Sequence, residues 1–113
     1  MTTTTTPPWE AKRTSETRMV EEVLTRAGFD QVDAYRYNSA SIRVRVIDRR
    51  FAGLTREKRD ELVEAELHQL PEEIQRDIVT LFTFAPCERA QTPRSFREFL
   101  LNTEFENPSP SML

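Results

Sequence analysis

Few residues in this chain could do chemistry. Arg56, Asp60 and Glu64 fall at one-turn helical spacing. Paired carboxylates serve acid–base chemistry when burial drives their pKa values apart. On an Arg-x-x-x-Asp-x-x-x-Glu stripe, the simpler reading is an exposed helix face with an ion pair. His68 is the only histidine and Cys87 the only cysteine. A nucleophile or base needs an orienting partner, and the sequence shows none for either residue. A structural zinc site usually takes four Cys or His ligands, and these two residues exhaust the supply. Cys87 follows Pro86 and has only Arg89 as a basic neighbour, weak ground for a stabilised thiolate. Nothing assembles a nucleophile, a base and oxyanion donors. The expected class is therefore non-enzymatic.

Arginine is the abundant reactive type, 14 Arg against 2 Lys. It is unevenly placed. Residues 30–60 carry eight basic against five acidic residues, and residues 61–78 carry one against six. Arginine forks match carboxylate and phosphate. Arg43, Arg45, Arg49, Arg50, Arg56 and Arg59 thus form a candidate partner-binding set, with Phe51 and Gly53 positioning them. The plainer alternative is a solvated strand face. Acids flank the set and the whole chain is at −3, which favours an acidic protein partner over nucleic acid.

These residues need a scaffold. At 113 residues the chain has room for one domain. Leu, Ile, Val and Phe make up about a quarter of it, above the roughly 20% below which chains stay disordered. Thr14 or Ser15 caps a first helix whose stripe is Met19, Val20, Val23, Leu24 and Ala27, and Gly28 ends it. Two strands follow, 32–37 and 41–47, joined at Asn38-Ser39-Ala40. In the second, Ile42, Val44 and Val46 share one face and Arg43 and Arg45 the other. Thr55 caps a second helix with a stripe of Leu62, Val63, Leu67 and Leu70. Pro71-Glu72-Glu73 opens a third, short one. A strand over 78–85 is expected to be the most buried element. Thr92-Pro93 opens a last amphipathic helix with Phe96, Phe99, Leu100 and Phe105, which either docks on the open sheet face or is held by another protein.

The order is helix, strand, strand, helix, short helix, strand, then the appended helix. About thirty residues separate the second and third strands, enough for a right-handed helical crossover between parallel partners. The expected fold is α+β, a three-stranded mixed sheet with helices on one face. Its parts are a disordered N-terminal tail over 1–13, a domain over 14–88, the appended helix over 89–106 and a disordered tail over 107–113. Trp9, beside the tail, is expected to pack back on the domain. No apolar run approaches the ~18 residues of a membrane span. A single thiol and the lack of a basic-then-apolar opening fit a cytoplasmic protein.

The stretch Ile42–Glu88 resembles the BolA family. The likeness lies in Ile42-Arg43-Val44-Arg45-Val46-Ile47 running into Phe51-Ala52-Gly53, in Arg59 inside the long helix, and in Asp77-Ile78-Val79-Thr80-Leu81-Phe82-Thr83-Phe84-Ala85-Pro86-Cys87-Glu88 as closing strand and ending. With the elements from Met19 onward it covers most of the chain. The resemblance implies a fold similar to a class II KH domain, and a protein-interaction role in iron–sulfur handling or stress regulation with a monothiol glutaredoxin as partner. Family members keep a histidine after the helix arginine, another opening the last strand, and a Cys or His between the first two strands. This chain has Asp60, Asp77 and Asn38–Ser41 there. Iron–sulfur iron favours thiolate and imidazole over carboxylate. No resident cofactor is expected, a shared 2Fe–2S cluster is disfavoured, and Cys87, His68 and Asp77 are the weak ligand candidates. A KH clamp needs a Gly-x-x-Gly loop, whereas Gly28 and Gly53 are the only glycines.

The sequence reading is thus an adaptor that binds a protein partner. The alternatives are a nucleic-acid-binding module using the arginines, and a structural accessory subunit held through the Phe-rich C-terminal helix.

Overall fold

The computed structural model describes residues 8–86 and 96–110. The first helix, α1, spans Ser15–Arg26. Thr14 caps it through a reciprocal pair: its hydroxyl accepts from the Thr17 N–H at 3.3 Å, and the Thr17 hydroxyl accepts from the Thr14 N–H at 2.9 Å. Gly28 sits at φ +99°, a left-handed position that ends the helix. Strand β1, Gln31–Asn38, then pairs antiparallel with β2, Ser41–Ile47, with Tyr35 opposite Arg43 and Asp33 opposite Arg45. The Asn38 side-chain carbonyl accepts from the Ala40 N–H at 2.9 Å and closes the hairpin.

A short 3-10 turn, Arg49–Phe51, leads to Gly53 at φ +81° and then to α2, Arg56–Leu67, capped by the Thr55 hydroxyl. Pro71 precedes α3, Glu72–Asp77, and β3 runs over Ile78–Phe84 parallel to β2. The sheet order is β1-β2-β3, so the crossover joins parallel neighbours as the spacing predicts. The last helix, α4, covers Phe96–Glu106.

Two cores lie on opposite faces of the sheet. On one, Val20 and Leu24 of α1, Val63 and Leu67 of α2, and Leu70 and Ile74 pack on Ala34, Ile42, Val44 and Val46. On the other, Trp9, Tyr35, Ile47, Phe82, Phe84 and Phe105 form an aromatic cluster flanked by Tyr37 and Leu101. Phe105 is its hub, 4.8 Å from the Tyr35 ring centroid, 5.2 Å from Trp9 and 5.7 Å from Phe82. The appended helix therefore docks on its own sheet.

Several expectations shift. Trp9 is 3% exposed within a 3-10 turn over Pro8–Lys12, so ordered structure begins before residue 14. The most buried strand is β2, the central one, because β3 is an edge. Met19 and Leu62, assigned to apolar stripes, are exposed in mid-helix. The side chains of Phe96 and Phe99, and all of Cys87, lie outside the described residues.

Candidate partner-binding surfaces

The alternation of β2 sends Ile42, Val44 and Val46 into the aliphatic core and Arg43 and Arg45 to the opposite face, under α4. Arg45 is 2% exposed. Its Nη2 and Nε donate to Asp33 Oδ2 at 2.7 and 3.2 Å, and its Nη1 to Asn102 Oδ1 at 2.6 Å and Glu106 Oε2 at 3.0 Å. The guanidinium lies 4.5 Å from the Phe105 ring centroid. Arg43 donates to Glu104 Oε2 at 2.8 Å and to the Tyr35 hydroxyl at 3.1 Å, and it stacks 3.7 Å over Tyr37. Burial pushes the Tyr35 hydroxyl up despite that bond from Arg43. Burial also tends to raise Glu104, but bonds from the Ser109 N–H, Arg43 and the Ser109 hydroxyl outweigh it and hold that carboxyl below its ordinary range.

The other candidates scatter. Arg59 is 6% exposed in the aliphatic core's wall, donating to Leu54 O at 3.1 Å and Thr83 O at 3.3 Å. Phe51 is fully buried. Arg50 binds Asp48, Nε to Oδ1 at 2.9 Å, and Asp48 is 1% exposed. Burial works to raise the Asp48 carboxyl, but the Arg50 side chain and the N–H groups of Arg50 and Asp30 win and lower it. Arg49 is exposed, with Asp30 at 3.5 Å. Gly53 is exposed in its turn, and Arg56 reaches from α2 toward Leu81 O at 3.5 Å. The eight residues therefore form no single face: Arg43, Arg45, Arg59 and Phe51 build the interior, and Arg49, Arg50, Gly53 and Arg56 stay at the surface. Strand alternation made the arginines of β2 look solvated, because α4 comes from a distant part of the chain.

A cleft of about 770 Å³ opens between α2 and β3. Arg56, Asp60, Glu64 and His68, one per helical turn, line its α2 wall, and Ile78, Val79, Thr80 and Leu81 line the other. The Thr83 hydroxyl donates to Asp60 Oδ1 at 3.4 Å. Partial burial pushes the Asp60 carboxyl above its ordinary range, and nearby Glu64 adds to this while Arg56, Thr83 and Arg59 oppose it. The sequence carried the helix stripe. It did not carry the exposure of Val79, 61%, because an edge strand and a central one have similar apolar content.

Of the ligand candidates, Cys87 lies outside the described residues, and Asp77 and His68 are each placed apart from any metal-holding group. Asp77 is held by Arg36 at 3.0 Å, so a cation already neutralises it. His68 is exposed at the C-cap of α2. Among the described residues, no group of three or more His, Cys, Asp or Glu side chains is placed to hold a metal ion. The two described candidates, Asp77 and His68, do not by themselves make a cluster site of the kind the resemblance implies.

No protein-family model matches the chain, and no curated protein matches it. A solved structure does. BolA1 from Arabidopsis thaliana aligns with 71% of this chain and 99% of its own length, at a TM-score of 0.50 and 17% identity. The fold is BolA-like. A BolA-like fold accounts for the mixed three-stranded sheet and the helical crossover. Beyond the aligned share this chain has further residues. No helix among the described residues is long and apolar enough to cross a membrane.

Proposed function

We propose that this BolA-like protein is a non-enzymatic protein-binding adaptor. One observation supports this over the nucleic-acid alternative: the chain's own carboxylates engage the arginines that would grip phosphates. Arg43 and Arg45 are spent on Glu104, Glu106 and Asp33, and Arg36 on Glu16 and Asp77. The open cleft carries Asp60, Glu61 and Glu64 against Arg56, a net negative lining that repels a phosphate backbone. The accessory-subunit alternative needs a free α4, whereas Phe105 is fully buried against the sheet. The surface cations Arg49, Arg50 and Arg56 and the α2–β3 cleft are the partner-contact regions in this reading. By the BolA likeness, a monothiol glutaredoxin in a cytoplasmic, iron–sulfur or stress-linked setting is the partner class to test first.

The test is a calorimetric titration of the chain against a monothiol glutaredoxin, apo and cluster-loaded, with visible circular dichroism. A parallel titration with single- and double-stranded oligonucleotides is run at two salt concentrations. The expected result is saturable binding to the glutaredoxin without a new cluster spectrum, and no salt-steep oligonucleotide binding. Tight oligonucleotide binding that collapses with log salt would overturn the reading.

A further inference from the structure

The cleft between α2 and β3 lies along one edge of the sheet. β3 is the last strand in the order β1-β2-β3. Edge strands template added strands unless something covers them. Among the described residues only part of the edge is covered. Arg59 Nη1 reaches the Thr83 carbonyl at 3.3 Å and Arg56 Nη2 approaches that of Leu81 at 3.5 Å. These bonds show that alternate residues of β3 point their carbonyls outward. The N-terminal end differs. Ile42 pairs with Ile78 and Arg43 with Thr80, so Val79 has no counterpart in β2 and stands exposed.

Charge selects the occupant. Asp33, Asp48, Asp77 and Glu104 each hold an arginine within ion-pair distance. Asp60 and Glu64 line the cleft, and among the described residues neither has a cation within ion-pair distance; Arg56 and Arg59 act on Asp60 only at longer range. A cation brought by a partner would meet two carboxylates one helical turn apart, about 6 Å along the axis. Same-face residues of an extended strand repeat every two residues, about 6.6–6.8 Å. The two spacings match.

We infer that this cleft takes an extended segment of a partner protein, added beside β3 as a fourth strand, with Arg or Lys at alternate positions facing Asp60 and Glu64. The inference rests on the adaptor reading and names the mode by which that site grips its partner. It sets the chain apart from a phosphate binder, because the cleft rewards the opposite charge.

The experiment uses the full chain, isotope-labelled for amide NMR, and a ten-residue fluorescent peptide of alternating Arg and Val. Three controls go with it: a peptide of the same composition with its arginines in one block, a version with Glu for Arg, and a single-stranded oligonucleotide. The expected result is saturable binding of the alternating peptide, with amide shifts confined to residues 60–68 and 78–82. The double variant Asp60→Asn, Glu64→Gln, with unchanged circular dichroism, should bind on the order of tenfold more weakly, as two partly screened ion pairs dictate. Equal binding of the block peptide, shifts spread over the acidic surface, absence of binding, or oligonucleotide binding in the cleft would each overturn the inference. The two readings fail separately. A glutaredoxin that binds through the Arg49–Gly53 turn while the peptide does not bind keeps the adaptor and removes the cleft. A peptide that binds in the cleft while the glutaredoxin titration is flat does the reverse for the named partner.

Discussion

The two faces of the sheet are held by different physics. Under α1, α2 and α3 the contacts are aliphatic and non-directional, so many packings of similar volume would serve. Under α4 they are aromatic and ionic. Arg43 and Arg45 must meet Glu104, Glu106, Asn102 and Asp33 in fixed geometry. A buried ion pair gains little net stability over an apolar replacement, because desolvation offsets its attraction. It does penalise wrong arrangements, since any misplacement strands a charge. The aliphatic face supplies bulk stability, and the arginine face sets where the appended helix lies.

The sharpest way to break this division is Arg45→Ala. It leaves Asp33, 8% exposed, without its main partner, and should cost about 3–5 kcal/mol. In urea unfolding the loss should be global, and amide exchange should rise first in α4. Leu24→Ala on the other face should cost about 2–5 kcal/mol while the native-state Trp9 emission stays unchanged, because Leu24 touches none of the aromatic cluster. A smaller effect separates shape from polarity. The Trp9 indole N–H is buried with no hydrogen-bond partner among the described residues. Trp9→Phe gives up volume but relieves that unmet donor, so the expected loss is under about 1.5 kcal/mol. Thermal unfolding of the two chains checks this, and a loss above 3 kcal/mol would show that the N–H is satisfied.

Acid gives the smallest contrasts, of opposite sign. Glu104 and Asp48 sit below their ordinary range. Their stabilisation is complete above the unfolded-state pKa, about 4, and is lost as pH falls through the folded values. The α4 face should therefore loosen first below about pH 4, seen as a Trp9 emission shift. Asp60 is raised, so the folded state holds its proton longer and its ionised form opposes folding above the unfolded pKa. Asp60→Asn should raise the neutral-pH Tm slightly, by less than about 4 °C, and should not do so at pH 3.

Much of the fold was legible. Thr14, Gly28, Thr55 and Pro71 punctuate the helices as local chemistry requires, and the strict alternation of β2 placed its apolar face correctly. Local signals could not reveal what covers the second face. Arg43 and Glu104 are 61 positions apart, and no period or cap links them. Arg43 and Arg45 therefore read as surface cations. Asp60 and Glu64 were visible as a helix stripe, but their place in a cleft depends on β3 being an edge. That is a property of strand order, which β3's own apolar content does not encode.

The long reach from β2 to α4 also bears on synthesis. Ribosomes deliver β1, β2 and β3 well before residue 105. Until α4 emerges, Tyr35, Phe82 and Phe84 have no Phe105 to cover them, and the free edge of β3 lies beside that bare aromatic surface. For that interval the nascent chain shows the features that recruit holdase chaperones and promote self-association. A chain stopped at Pro86 should sediment as aggregates at concentrations where the full chain stays monodisperse.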